Sequence, residues 1–149
     1  MDKHRLLEKL NWFYSLEINQ VDMYRKQSKK TEDPHLARAL NKFAEIEQGH
    51  VENICSTIER LGANPSFLWE VAGEISGAIT GTLSSLPSRE ETLRFNITLE
   101  TKAISDYKAL IRQVGNEDIR ETLWSNMIDE ELHTSWMNTE LVKMKGEGH

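Results

Sequence analysis

Cysteine, proline and long apolar runs are all scarce in this 149-residue sequence, which holds one Cys and three Pro. A lone Cys55 permits no internal disulfide and no four-cysteine metal site, so a disulfide scaffold is excluded and a reducing cytoplasm suits the chain. No stretch approaches the roughly twenty apolar residues that cross a bilayer. Nor does Met1-Asp2-Lys3-His4-Arg5 lead into an apolar run of signal-peptide length, and the expectation is a protein neither exported nor membrane-spanning. Cationic charge is short too: 18 Lys and Arg against 24 Asp and Glu leave a net charge of -6, with no basic stripe to track a phosphate backbone. Nucleic acid is therefore not an expected partner. The length suits a single domain, 1–149, with a real core.

What the sequence does have is a repeat of polar residues in otherwise apolar stripes. Glu47-Gln48-Gly49-His50 and Glu130-Glu131-Leu132-His133 share a Glu-x-x-His spacing, and residues three apart lie on one helix face. Each match alone is weak. However, Glu17, Tyr24, Glu47 and His50 recur as Glu100, Tyr107, Glu130 and His133, every pair 83 positions apart. The repeat reads as two copies of a helical hairpin, each giving two carboxylates and one imidazole to a shared metal site.

Helix one carries Leu6, Leu10, Phe13, Ile18, Val21 and Tyr24 as its apolar stripe, with Glu17 in a core position, and the polar run Gln27 to Lys30 is expected to fray. Asp33-Pro34 marks the start of helix two. Its stripe is Leu36, Leu40, Phe43, Glu47, His50, Ile54, Ile58 and Leu61, and Gly62 followed by Pro65 stops it. Gly49, inside that helix, points to a close backbone neighbour or to open room. Helix three follows a Ser88-Arg89-Glu90-Glu91 capping box, with Leu93, Ile97, Glu100, Ile104, Tyr107, Ile111 and Val114 inward. Helix four places Ile119, Leu123, Met127, Glu130, His133, Met137, Leu141 and Met144 inward, leaves Asp129 and Glu131 solvated or beside the ligands, and frays from Lys145. Hairpin one thus covers 2–61 and hairpin two 88–145, joined by a crossover segment, 62–87. That segment carries Trp69 and glycines 73, 77 and 81 at four-residue spacing, a face that suits close helix packing or contact with an apolar substrate or membrane surface.

Burying carboxylates without a cation is costly, so the pattern calls for a metal. Oxygen-rich donors with two imidazoles suit two iron ions; manganese suits them as well, and zinc can fill such a site in a purified sample. Tyr24 and Tyr107, two turns from Glu17 and Glu100, are placed to supply hydroxyls beside the ligands.

One Glu on each of two helices and Glu-x-x-His on the other two resembles the ligand set of the ferritin-like di-iron carboxylate superfamily. The fold this resemblance implies is all-α, a ferritin-like four-helix bundle with one long crossover connection containing an additional helix. Further residues are similar to the demethoxyubiquinone hydroxylase family: Glu17 with Tyr24 and Gln27, the run Leu68-Trp69-Glu70-Val71-Ala72-Gly73 leading to Gly77 and Gly81, Glu100 with Tyr107, and Asp129 to His133. That resemblance implies that Glu47 and Glu130 bridge the irons, that Glu17 and Glu100 are terminal ligands, and that Trp69, Gly73, Gly77 and Gly81 help admit a quinone-like ring. The activity implied is that of a di-iron monooxygenase, in which reduced iron activates oxygen to hydroxylate that ring. Residues 45–50 are also similar to rubrerythrin-type domains, which implies as an alternative a peroxidase using an external electron donor, and iron oxidation and storage by a ferritin-like shell is the further alternative. An external electron donor, a homodimer and peripheral contact with the inner face of a membrane complete the expectations.

Overall fold

The computed structural model describes residues 1–71 and 88–147. The chain divides into two compact units, Met1–Leu83 and Ser84–His149, each built on one helical hairpin. In the first, α1 (Lys3–Lys30) packs along α2 (Pro34–Arg60); in the second, α3 (Arg89–Gln113) packs along α4 (Glu117–Glu147).

The starts of α1 to α4 are each capped by a short polar side chain that satisfies otherwise orphaned N–H groups. Asp2 accepts from the Arg5 N–H at 2.8 Å. Asp33 accepts from His35 and Leu36, with Pro34 in the first turn of α2. Ser88 and Glu91 form a reciprocal capping box, at 3.1 Å and 3.3 Å. Asn116 accepts from the Ile119 N–H at 3.0 Å. At the end of α2 the Gly62 N–H donates to the Glu59 carbonyl and the Ala63 N–H to that of Ile58. Gly62 has φ +85°, a conformation without penalty only for glycine.

Two stretches expected to fray are helical. The last turn of α1 holds to Lys30 because Gln27 and Ser28 are buried, and the Ser28 hydroxyl donates to the Ala37 carbonyl at 3.0 Å across the hairpin turn. α4 continues to Glu147, with Lys145 in its final turn suited to the negative end of the helix dipole.

The cores follow the expected stripes with two corrections. On α3 the fully buried positions beside Leu93, Glu100, Tyr107 and Val114 are Asn96, Ala103 and Leu110, while Ile97, Ile104 and Ile111 are only half-buried. On α1 Ile18 is half-buried and Gln20 and Gln27 are inward. In both helices the true stripe steps by four and three through the central Glu, a phase that the isoleucines had masked.

Beyond α2 the chain is fastened to α1 by two polar side chains. The Ser66 N–H donates to Asn11 Oδ1 at 2.7 Å, and the Leu68 N–H to Ser15 Oγ at 2.8 Å. Of the crossover segment, residues 69–71 are helical, and Trp69 is 80% exposed with its ring edge-on to Phe67 at 5.0 Å. Gly73, Gly77 and Gly81 lie outside the described residues. No helix among the described residues is long and apolar enough to cross a membrane.

Gly49 has no atom within 4 Å of the place a Cβ would occupy, so room, and not close approach, surrounds it. Gly49→Ala should therefore stabilise the protein by about 1 kcal/mol through helix propensity alone. Denaturant unfolding of the two proteins measures the difference.

Candidate metal centre

Hairpin one brings three of the expected ligands together at mid-helix. Glu17 projects from α1, and Glu47 and His50, one turn apart on α2, project toward it. Glu17 and Glu47 are fully buried and His50 is 2% exposed. His50 Nδ1 lies 3.2 Å from Glu47 Oε2 and 3.5 Å from Glu17 Oε2, so one ring nitrogen faces two carboxylates contributed by two helices. Hairpin two repeats the arrangement with Glu100 on α3 and Glu130 and His133 on α4, all buried. Here the set is wider: His133 Nδ1 stands 3.8 Å from Glu130 Oε1 and 4.0 Å from Glu100 Oε2. Within each hairpin the three ligand atoms lie within 4.8 Å of one another.

The chemistry of these donors fits a divalent metal. Buried carboxylates need a cation to offset lost hydration, and hard oxygen donors with one imidazole suit iron or manganese better than a soft metal. These buried Glu/His sets can bind metal ions. The single thiol stands apart: Cys55 is half-buried and its S–H donates to Glu59 Oε1 at 3.3 Å. Burial pushes the Cys55 thiol up, and the Glu59 carboxylate pushes it the same way, so it stays protonated at neutral pH.

The surroundings of the two sets differ although the helices repeat. Tyr24 and Tyr107 are both fully buried, two turns along from Glu17 and Glu100. Tyr24 meets Phe43 edge to face at 5.6 Å, whereas the Tyr107 hydroxyl accepts from Asn126 Nδ2 at 3.4 Å. Asn126 stands where Phe43 does, 83 positions on, and Asn96 stands where Phe13 does. Both asparagines are fully buried, each one turn before a ligand Glu. In hairpin one the added polar group is Gln20, also fully buried. A carbonyl turned toward carboxylate oxygens would be repelled, so its amide nitrogen faces them, donating to Glu17 Oε2 and Glu47 Oε2 at 3.3 Å each. Its counterpart in hairpin two is Ala103. Sequence reading missed Gln20, Asn96 and Asn126. The available signal was the four-and-three step through Glu17 and Glu100, which puts all but Asn126 in phase.

Asp129 and Glu131, flanking the second motif, are half-buried, and Glu131 pairs with Lys108 at 3.5 Å. They lie off the inward phase, as the stripe predicts.

The match to a family covers residues 2–146. The chain belongs to the family described as Domain of unknown function (DUF892). None of the curated proteins matches this DUF892 chain. Among solved structures, it is similar to a dodecameric thioferritin of the bacterial domain, the bacterioferritin-related protein from Bacteroides fragilis. The two share 19% identity with a TM-score of 0.77, over 99% of this chain and 92% of that one. At that identity the likeness establishes the fold, which is all-α and ferritin-like.

Proposed function

We propose that the DUF892 chain is a di-iron carboxylate oxidoreductase in which each hairpin supplies one Glu/Glu/His ligand set. The observation that carries this reading is the recurrence, at one offset, of a buried Glu/Glu/His set with its imidazole turned toward two carboxylates. Four carboxylates are neutralised by two divalent ions, which accounts for the burial of so much formal charge. Glu17, Glu47 and His50 would hold metal in hairpin one, and Glu100, Glu130 and His133 would hold it in hairpin two. Iron bound there supplies redox chemistry toward oxygen or peroxide. The chain's own part is to hold the ligands in an apolar, water-poor interior and to place the Tyr24 and Tyr107 hydroxyls nearby. Asn126, donating to the Tyr107 oxygen, fixes the orientation of that phenol.

Within this class, hydroxylation of a quinone-like ring rests on the motif resemblance, which includes the exposed Trp69. In that reaction one atom of dioxygen enters a ring C–H bond as hydroxyl and the other leaves as water, with two electrons from an external donor and two protons from solvent. The ferritin-like fold neighbour favours a second reading, iron oxidation within a large assembly.

Metal content of the purified protein, followed by anaerobic reduction and exposure to oxygen and then peroxide, tests the reading. Two irons per chain with fast reoxidation by oxygen, and a hydroxylated product from a demethoxyquinone analogue, support the hydroxylase. Reoxidation by peroxide alone supports a peroxidase served by a separate donor. No metal after reconstitution ends the di-iron reading.

Assembly is tested separately. The outer face of α4 exposes Trp124 at 50%, Leu132 at 62% and Val142 at 70%, apolar side chains opposite the inward stripe that suit a homodimer contact. Leu132→Glu should convert a dimer to monomer by light scattering while leaving the circular dichroism unchanged. A shell of many copies would instead favour storage.

A further inference from the structure

We propose that Gln20 makes the two metal positions unequal, organising the one held by His50 as the tighter and leaving the one held by His133 looser. This inference rests on the di-metal reading above. Three observations support it. The Gln20 amide end lies 3.3 Å from Glu17 Oε2 on α1 and 3.3 Å from Glu47 Oε2 on α2, and with its nitrogen turned toward them, the orientation that avoids repulsion, it donates to both, so a single buried group ties together carboxylates from two helices. The oxygens it holds, Oε2 of each Glu, are the same two that face His50 Nδ1. And the hairpin that has Ala103 in place of Gln20 has the wider set, 3.8 Å and 4.0 Å against 3.2 Å and 3.5 Å.

The physical reason is pre-organisation. A carboxylate on a three-bond arm loses rotamer freedom when it binds an ion, and a donor that has already fixed its orientation removes part of that cost. Gln20 lends only N–H groups, so it leaves further lone pairs of each carboxylate for the metal. It also gives the two buried oxygens a partner before the ion arrives, which keeps hairpin one shaped for it. In hairpin two Glu100 and Glu130 have no such shared clamp from position 103, because alanine carries no donor. Gln20 is thus a positioning residue acting through Glu17 and Glu47, and the His133 ion is the one lost first to a chelator.

The test separates the two positions with histidine variants and measures Mn(II) affinity by calorimetry. In a His133→Ala background, which keeps the His50 position, Gln20→Met should lower Mn(II) affinity by roughly 10- to 100-fold, the usual effect of losing a hydrogen-bonding partner of a ligand. In a His50→Ala background the same change should leave affinity unaltered. Methionine matches the length of glutamine without its donors; Gln20→Ala is the companion variant, and melting curves verify that each folds. No loss in the first background overturns the role of Gln20 while the metal reading stands. Equal losses in both overturn it as well, since that is what a merely structural residue would give. Failure of the unsubstituted protein to bind Mn(II) at all would instead bring down the di-metal reading itself.

Discussion

Each Mn(II) ion bound should raise the melting temperature of the metal-free protein by roughly 8–16 °C. At a thousandfold excess over Kd, one ion bound only by the folded state stabilises it by about 4 kcal/mol. For a chain near 150 residues each kcal/mol moves the midpoint by roughly 2–4 °C. The source of the expected gain is the burial of the candidate ligands: Glu17, Glu47, Glu100 and Glu130 are each 0% exposed, and a bound cation would offset the cost of removing their carboxylates from water. If each imidazole serves a different ion, as proposed, His50→Ala and His133→Ala should each remove one ion per chain and that ion's share of the thermal shift. Elemental analysis beside calorimetry reads both quantities. Two ions retained by both variants would show that the histidines are not ligands.

Glu47→Leu should do the reverse of what removing a core residue usually does: abolish metal binding and make the metal-free protein more stable. Glu47 is fully buried, with Glu17 in reach of the same His50 nitrogen, so the metal-free state keeps two carboxylates close together in a dry interior. Two carboxylates held in reach of one imidazole in a low-dielectric interior repel each other, and replacing one with an apolar side chain of similar volume removes that repulsion. Leucine fills nearly the same space and needs no partner, and Glu17 keeps both His50 and Gln20. Chelator-treated melts of the two proteins decide the sign. A variant melting several degrees below the metal-free parent would mean that the Glu47 carboxylate is a net structural asset without metal. By contrast, Ile54→Ala, a truncation of a fully buried aliphatic side chain on the same helix, should cost about 2–5 kcal/mol with or without metal, which calibrates what an ordinary core change does here.

The repeat made the candidate ligand sets legible. Glu, Glu and His at core phase, twice, at one offset, is a pattern that burial penalises unless something neutralises it, and the structure gathers each trio within its own hairpin. Helix ends were legible for a similar reason. Asp33, Ser88, Asn116 and Gly62 act through bonds to residues within four positions, so their chemistry is local and the sequence contains both partners.

Phase was less legible where hydrophobicity misled. Ile97, Ile104 and Ile111 look like core, yet Asn96, Ala103 and Leu110 occupy it. Isoleucine at the edge of a stripe still buries half its surface, and asparagine inside is tolerated only when neighbouring groups satisfy it. The last turn of α1 was misjudged because Gln27 and Ser28 owe their burial to a partner helix, through contacts such as that from Ser28 to the Ala37 carbonyl nine residues away.

The sequence by itself determined the all-helical class, the four main helices with their caps, and the six residues with ligand chemistry. These follow from periodicity and from the cost of burying charge, both of which are written along the chain. Only the tertiary structure decided which neighbours the ligands have: Gln20 bridging Glu17 and Glu47, Asn126 on Tyr107, and Phe43 against Tyr24. Those relations depend on the angle and register at which one helix meets the next, set by packing along the whole length of a hairpin, and no local spacing encodes them.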